Sequence, residues 1–171
     1  AVGIAVVGMI LYLAYVFRSM KGTIAPWKLG VAAVYALVHD LIFVTGVFTI
    51  FGRLWGAPLD ILFVTAQLAI LGYSANDSIV IFHRLQQEWQ KARGKTLLAA
   101  INDAITSSLT RSFNTSFTTL LVLLALLVFG GSTIRWFVLT LTIGTVVGAY
   151  SSLFVAPPFL YYLTVRRKVR T

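Results

Sequence analysis

Five long apolar runs occupy most of this chain, and each is close to the length that a helix needs to cross a lipid bilayer. A hydrocarbon core of roughly 30 Å is spanned by about 20 apolar residues in a helix. The runs are Ala1 to Phe17, Leu29 to Phe51, Leu59 to Phe82, Ser108 to Phe129 and Ile134 to Leu163. The sequence therefore predicts an all-α, polytopic transmembrane helix bundle with five spans. The last run is long enough to tilt across the bilayer or to break at Pro157-Pro158.

The composition indicates a membrane protein and argues against a nucleic-acid-binding one. Hydrophobic residues make up 58% of the 171 residues and charged residues only 11%, which is more apolar surface than a soluble core needs. The net charge is +9, but the basic residues lie in short clusters beside the apolar runs instead of along one polar face. We therefore expect membrane lipids, and no nucleic acid, as partners. The absence of cysteine excludes disulfides and thiolate metal sites.

The basic clusters predict which ends of the spans face the cytoplasm. They comprise Arg18, Lys21 and Lys28 after the first run, Arg84, Lys91, Arg93 and Lys95 after the third, and Arg166, Arg167, Lys168 and Arg170 at the end. The opposite connections carry only Arg53 with Asp60, and Arg135. This pattern predicts that Ala1 lies outside and that the C-terminus, Thr171, lies in the cytoplasm. Because the chain begins inside an apolar run without an initiator Met, we expect a piece of a longer polypeptide.

The connection between the third and fourth runs has a helical pattern of its own. Its apolar residues are Leu97, Leu98, Ile101, Ala104, Ile105 and Leu109, with polar residues on the other side. The pattern predicts an amphipathic helix along the inner membrane interface that runs into the fourth span. Arg93-Gly94 is typical of the end of the preceding helix, with Gly in the left-handed position. A connector that rests its apolar side on lipid and a docking site for a partner both fit this segment.

Two opposite charges fall inside apolar runs, Asp77 near the end of the third and Arg111 near the start of the fourth. A charged side chain at the centre of a bilayer costs on the order of 3 kcal/mol, so an ionisable residue there is a functional candidate. At a rise of 1.5 Å per residue, both lie roughly 8 Å below the inner boundary, so they share a level. The neighbours predicted to support them by hydrogen bonding are Tyr73, Ser74, Asn76 and Thr115.

Two interpretations of this pair are open, a static ion bridge between helices and a proton relay. A buried ion pair often fails to offset the desolvation of its charges and is weak support for a stabilising role. We therefore favour the relay. With Arg111 close, Asp77 is held ionised, and with Arg111 withdrawn, desolvation favours the neutral acid and the site takes up a proton.

A second polar site, His39-Asp40, lies near the middle of the second run. It is a candidate second proton station or a partner for Arg111, and a hydrogen-bonded helix contact with His39 as local partner fits equally well. His83 at the inner boundary is expected to be a solvated end residue. In the last run, the Gly144 to Gly148 spacing predicts a face on which another helix packs closely.

The sequence contains no arrangement of residues typical of an enzyme. Neither histidine has the spacing of a metal site, and no glycine-rich turn ends in the GK[ST] of a phosphate-binding loop. We therefore expect a protein that is not an enzyme and needs no cofactor, with protons as its coupling ion.

The segment Gly72 to Val80 reads GYSANDSIV and closely resembles the GYSxND[ST]IV segment of the SecF branch of the SecD/SecF family, which acts in bacterial protein export. Further segments agree with that family in order and spacing over nearly the whole chain. They are Val38-His39-Asp40, Leu109-Thr110-Arg111, Thr115 to Leu120, Phe129-Gly130-Gly131, Ile143-Gly144 and Tyr150-Ser151-Ser152.

The resemblance implies an architecture and a set of functional residues. The membrane part of the family is similar to half of an exporter of the resistance-nodulation-division type, with six helices and an external domain after the first. This chain, residues 1–171, resembles helices two to six as a single transmembrane domain. In the family, the residues matching Asp77 and Arg111 are implicated in use of the proton-motive force, together with acidic groups of the SecD half. Where the family often has Asp, this chain has His83, which argues against a role for that position.

The resemblance further implies a subunit of the bacterial cytoplasmic (inner) membrane that assists protein export. Its partners would be SecD, as a separate chain or a fused half, the Sec channel and the translocating preprotein. Asp77 would carry the proton and Arg111 would switch its charge, while Asp40 with His39 stays a candidate second station because of its position in the second run. Two alternatives are a proton-driven exporter of lipids or small molecules on the same half-transporter plan, and a scaffold subunit that moves no protons.

Overall fold

The chain folds into a bundle of long helices. The structure, a computed structural model, describes residues 2–18, 24–91, 94 and 96–165. Its elements are α1 (Val2–Arg18), α2 (Pro26–Trp55), α3 (Ile61–Lys91), α4 (Leu97–Phe129), a 3-10 turn (Ser132–Ile134), α5 (Arg135–Phe154) and α6 (Ala156–Val165). The described residues contain helices and no strand, so the prediction of an all-α fold is confirmed.

Three stretches of the described chain are long and apolar enough to cross a membrane. They are Pro26–Trp55, Leu97–Phe129 and Ser132–Val165, and α1 contributes a shorter apolar helix, Val7–Arg18. α3 is not among them, although it is 31 residues long, because residues such as Gln67, Asn76 and Asp77 make it the least apolar of the long helices. Membrane-capable helices are therefore present, and the number of five spans stays a prediction.

Local sequence signals set the helix ends. α2 starts at Pro26, where a missing N–H costs nothing, and stops at Gly56, which adopts a left-handed φ of 70°. Asp60 accepts a hydrogen bond from the backbone N–H of Phe63 at 3.0 Å at the start of α3. Thr96 does the same for Ala99 at 3.3 Å at the start of α4. Gly94 has a φ of 94°, as predicted for the turn before α4, whereas Arg93 lies outside the described residues.

The segment predicted as an interfacial helix is the first part of α4. Its helical pattern is confirmed, and it runs without a break into the fourth apolar run. Part of its apolar side is covered by protein, because Ala100, Ile101 and Ala104 are buried against a core that includes Phe82 and Leu85 of α3. The small alanines let α4 approach α3 closely, whereas Leu98 and Leu109 of the same apolar pattern are exposed. Its position along the inner interface stays a prediction.

The last apolar run breaks near the two prolines, which was one of the two predicted outcomes. α5 ends at Phe154, α6 begins at Ala156, and Val155 between them is a turn residue. Pro157 and Pro158 cannot donate backbone hydrogen bonds and would clash with the carbonyls of the preceding turn. In the first turn of α6 the same residues are tolerated, because those N–H groups would have no helical partner.

α3 is the central helix and packs against α1, α2, α4 and α5, with its most extensive contact to α5. Gly144 and Gly148 of α5 make this contact possible. A Cβ atom at Gly144 would collide with the side chain of Ile70, and one at Gly148 would lie 3.3 Å from Cβ of Ser74. The predicted close-packing face is therefore confirmed.

Consecutive long helices run in opposite directions. At one end of the bundle, Phe17 of α1, Phe82 of α3 and Ala100 of α4 share a core cluster. At the other end, Phe48 of α2 stacks on Phe63 of α3 at 4.7 Å and meets Trp136 of α5 at 6.1 Å between ring centroids. Which end faces the cytoplasm stays a prediction. Several basic residues used for it, namely Lys21, Arg93, Lys95 and those after Val165, lie outside the described residues.

Candidate functional site

Two carboxylates, Asp40 on α2 and Asp77 on α3, lie inside the bundle near its middle. Asp40 is only 1% exposed, and Asp77 is half-buried. Both occupy places where three helices meet, so their carboxylate oxygens face neighbouring helices instead of the bundle surface.

Asp40 is held by three hydrogen-bonding groups. The Ser74 hydroxyl of α3 donates to its Oδ2 at 2.5 Å, and the Ser151 hydroxyl of α5 donates to the same oxygen at 2.8 Å. Nδ1 of the adjacent His39 lies 3.1 Å from Oδ1. The predicted local partnership with His39 is thus confirmed, and two further helices take part in the contact. That Asp40 binds and releases protons as a second station stays a prediction.

Asp77 lies where α3, α4 and α5 meet. The Ser112 hydroxyl of α4 donates to its Oδ1 at 2.9 Å, and the Ser152 hydroxyl of α5 donates to its Oδ2. Neutral hydroxyls, and not a cation, are therefore the observed partners of this carboxylate. A carboxylate held in this way can be ionised and hydrogen-bonded, or can bind a proton, without disrupting an ion pair.

Ser151 and Ser152 are consecutive residues of α5, yet they serve different carboxylates. Successive side chains on a helix point about 100° apart, so one serine faces α2 and the other faces α3 and α4. Gly148, one turn earlier, brings the backbone of α5 up to Ser74, which is also a ligand of Asp40. We call Asp40, Asp77, Ser74, Ser112, Ser151 and Ser152 the serine–carboxylate cluster.

Arg111 does not pair with Asp77 in this structure. Its side chain is exposed, and no ion pair joins it to Asp77 in the described part of the chain. The predicted common level of the two residues agrees with the structure, because Ser112, next to Arg111, reaches Asp77. Ser112 occupies the side of α4 that faces Asp77 and turns Arg111 away from it, which is the withdrawn arrangement of the relay hypothesis, and the role of the pair stays a prediction.

The Arg111 side chain lines an open cavity of about 740 Å³ between α1, α3 and α4. Arg84, His83 and Ser108 line it too, so the cavity is polar and positively charged. His83 is exposed there, in agreement with its interpretation as a solvated end residue. The cavity opens on the same end of the bundle as Lys91 of α3, the end that the charge pattern places inside.

The four predicted supporting residues have other partners. Ser74 bonds to Asp40 and not to Asp77, and the Tyr73 hydroxyl lies 2.9 Å from that of Ser116. Asn76 is exposed, and the Thr115 hydroxyl donates to the carbonyl of Arg111 on its own helix at 2.9 Å. Ser74 alone among the four holds a buried carboxylate, and that carboxylate is Asp40 and not the predicted Asp77.

Sequence reasoning missed three of the serines that hold the carboxylates, Ser112, Ser151 and Ser152. Their signal was present, since each is a small polar residue inside an apolar run, and the last two form a doublet. Serine in a helix often bonds its own backbone, however, so the residue type alone does not indicate a partner on another helix.

Two further buried polar atoms have no hydrogen-bond partner among the described residues, Oε1 of Gln67 and Oγ of Ser78. Gln67 uses its amide nitrogen to bond Thr45 of α2 at 2.8 Å, and Ser78 directly follows Asp77. Unpartnered buried polar atoms are rare and usually bind water. In the described part of the chain, no three His, Asp or Glu residues come together as a metal site would require.

Comparison with known proteins gives consistent matches. A family model described as protein export membrane protein SecD/SecF, C-terminal, matches residues 1–166. The chain is 41% identical over 154 residues to the protein translocase subunit SecF of Thermobaculum terrenum, covering 90% of this chain and 48% of that protein. It is 36% identical to the protein translocase subunit SecDF of Brucella abortus, over 94% of this chain and 20% of that one.

Solved structures agree with these matches. A crystal structure of SecDF in the super-membrane-facing form aligns with a TM-score of 0.82 at 36% identity, over 94% of this chain and 20% of that chain. A crystal structure of SecDF, a translocon-associated membrane protein from Thermus thermophilus, aligns with a TM-score of 0.79 at 35% identity, over 91% of this chain and 20% of that chain. The chain thus spans about half the length of the SecF relatives that it matches.

Proposed function

This chain belongs to the SecD/SecF family of protein export membrane proteins, and on that premise we propose that it is the membrane domain of a SecF-type subunit that uses the proton-motive force to assist protein export. The observation that carries the proposal is the placement of Asp77, a half-buried carboxylate in the middle of the bundle that the hydroxyls of Ser112 and Ser152 hold. Relatives named as translocase subunits support the export role, which is one of transport and not of enzymatic catalysis.

Asp77 would be the proton carrier. An ionisable group inside a membrane domain is costly and is retained where it moves protons or ions. Each proton that crosses a potential of 100 mV releases about 2.3 kcal/mol, enough to bias the balance between two conformations of the bundle strongly.

Arg111 would act as the charge switch through a movement of α4. Because Arg111 and Ser112 are adjacent and the arginine side chain is long, a partial rotation of α4 would replace the hydroxyl beside Asp77 by the guanidinium. Arg111 near Asp77 would expel the proton, and Arg111 in its present position, in the open cavity, would let Asp77 hold one. Asn76 and Thr115, which face away from Asp77 here, would be brought into use only in the other conformation.

The proposed setting is the bacterial cytoplasmic membrane, crossed five times, with the C-terminus in the cytoplasm. The helices would correspond to helices two to six of the six-helix half. A SecD half is the proposed partner, supported by relatives named SecDF that share the fold. The Sec channel, the preprotein and membrane lipids would be the other partners, and protons the coupling ion.

The test is Asp77→Asn in the full-length protein with its partner half, assayed for preprotein translocation into membrane vesicles with and without a proton gradient. Asn keeps the volume and hydrogen bonding of Asp but cannot titrate. The variant should assemble and lose the part of translocation that depends on the gradient. Asp60→Asn is the matched control, because Asn caps a helix as well as Asp and the residue lies at a helix start. Gradient-dependent translocation at the wild-type level in Asp77→Asn would refute the role of Asp77 as proton carrier and favour a scaffold role for the subunit.

A further inference from the structure

Ser151 and Ser152 each face two hydrogen-bond acceptors but carry a single hydroxyl hydrogen. Oγ of Ser151 lies 2.8 Å from Oδ2 of Asp40 and 3.2 Å from the carbonyl oxygen of Gly148. Oγ of Ser152 lies within hydrogen-bonding distance of Oδ2 of Asp77 and 3.1 Å from the carbonyl oxygen of Ala149. Since a hydroxyl donates one hydrogen bond and accepts up to two, each serine must choose between the carboxylate and its own helix.

That choice lets each carboxyl exist in two protonation states with all hydrogen bonds made. When the carboxyl is ionised, the serine donates to it. When the carboxyl carries a proton, its O–H becomes a donor, and the serine can accept that bond while it turns its own hydrogen to the backbone carbonyl. A buried polar group left without a partner destabilises the fold, and the two-acceptor arrangement avoids this in either state.

We propose that Asp40 is a second proton-binding carboxyl and that the Ser151–Ser152 doublet couples its protonation to that of Asp77. The inference rests on the proposed function for the role of Asp77 and adds a second site and its link. The proton binds a carboxylate oxygen, the serine hydrogen moves by rotation about the Cβ–Oγ bond, and no covalent bond of the serine is made or broken.

The coupling has a structural route. The two serines are neighbours on α5, so a displacement of this helix changes both carboxylate contacts. Ser74, which donates to Asp40, lies one helical turn before Asp77 on α3. The two sites therefore share two helices, and interacting sites titrate as a pair instead of independently.

Other ionisable groups around the cluster are engaged or turned away. His39 contacts Asp40 at 3.1 Å and belongs to its site. Tyr73 of α3 bonds to Ser116, and both Arg111 of α4 and Tyr150 of α5 are exposed. α1 contributes Tyr12, Tyr15 and Arg18, all exposed, and α6 contributes Tyr161 and Tyr162.

The test is infrared difference spectroscopy of the full-length protein with its partner half, in lipid nanodiscs, recorded as the pH is lowered. Protonated carboxyls absorb in a region separate from carboxylates, and among the bands of all the carboxyls we expect one that is lost in Asp40→Asn and another that is lost in Asp77→Asn. Asp40→Asn should also move the titration midpoint of the Asp77 band by about one pH unit, a tenfold change in proton affinity.

The serines supply matched variants. Ser151→Ala should shift the Asp40 band and Ser152→Ala the Asp77 band, and Ser151→Thr, which keeps the hydroxyl, should restore the wild-type spectrum. Ser107→Ala is the control, because Ser107 bonds the carbonyl of Ala104 at 3.1 Å in the same i−3 manner and contacts neither carboxylate. It should leave both bands unchanged.

Absence of a titrating band that depends on Asp40 would overturn the second site, and an Asp77 midpoint unmoved by Asp40→Asn would overturn the coupling. Both outcomes are read without any translocation assay. Failure of the proposed function would appear separately, as gradient-dependent translocation that survives Asp77→Asn.

Discussion

Gly148 of α5 and Ser74 of α3 are in direct contact, so close that a Cβ at position 148 would lie 3.3 Å from Cβ of Ser74. This contact holds α5 at the distance from which Ser151 reaches Asp40 and Ser152 reaches Asp77. The packing of two small residues therefore determines the geometry of the polar cluster.

The contact predicts a disulfide. Cβ atoms in disulfides lie about 3.5 to 4.5 Å apart, so Ser74→Cys with Gly148→Cys should cross-link α3 to α5 on mild oxidation with a small backbone adjustment. This chain has no native cysteine to compete. Mass spectrometry of proteolytic fragments would detect the bond. Gly72→Cys with Gly148→Cys is the control, because Gly72 is exposed with no other side chain near it, and cross-linking of this pair instead would contradict the packing.

A second packing prediction concerns Gly144 and Ile70. Gly144→Ala places a methyl group where the Ile70 side chain lies, and overpacking of this kind costs about 1 to 3 kcal/mol of folding free energy. The midpoint of thermal unfolding in detergent should fall. Ile70→Ala in the same chain makes room, so the double variant should lose less than the sum of the single losses. Simple additivity would mean that the two residues are not in contact.

The charge-switch proposal predicts the behaviour of a double variant. Asp77→Asn with Arg111→Gln removes both charges, so it should fold and assemble normally yet remain inactive in gradient-dependent export, because neutrality does not restore a proton carrier. Thermal stability and translocation measured on the same preparation separate the two effects. A static bridge predicts the reverse, with unstable single variants and recovery of export when both charges are gone.

Topology is predicted by the charge pattern and is open to a direct test. A reporter inserted between Arg18 and Lys28 and another after Thr171 should report the cytoplasm, and one near Ala57 should report the outside. An inverted result at the first position would refute the five-span arrangement.

Much of the fold was predictable from the sequence because length and hydropathy fix where a helix can cross lipid. The prolines at 157 and 158 and the glycines at 144 and 148 also have local effects, a break and a close approach, that depend little on distant residues. The amphipathic pattern after Thr96 predicted the helix but not what packs on its apolar face. The same alanine and leucine spacing is expected whether that face contacts lipid or α3.

The candidate site was harder to predict for a geometric reason. The sequence places Asp77 and Arg111 at one level, but it does not fix the rotation of α4 about its own axis. Because successive side chains point about 100° apart, that rotation determines whether Arg111 or Ser112 faces Asp77. Likewise, Ser151 and Ser152 could bond their own helix alone, and only the approach of α5 to α2 and α3 brings the carboxylates within reach.

The break at Val155 acts as a joint next to the serine doublet. Pro157 and Pro158 offer no N–H to the carbonyls of Leu153 and Phe154, so few backbone bonds tie the last turn of α5 to α6. Ala156 and Leu160 meanwhile anchor α6, fully buried in the core. We therefore expect the turn that carries Ser151 and Ser152 to be able to tilt while α6 stays docked, so that a change at the two carboxylates would move about one helical turn of α5 and not the whole helix.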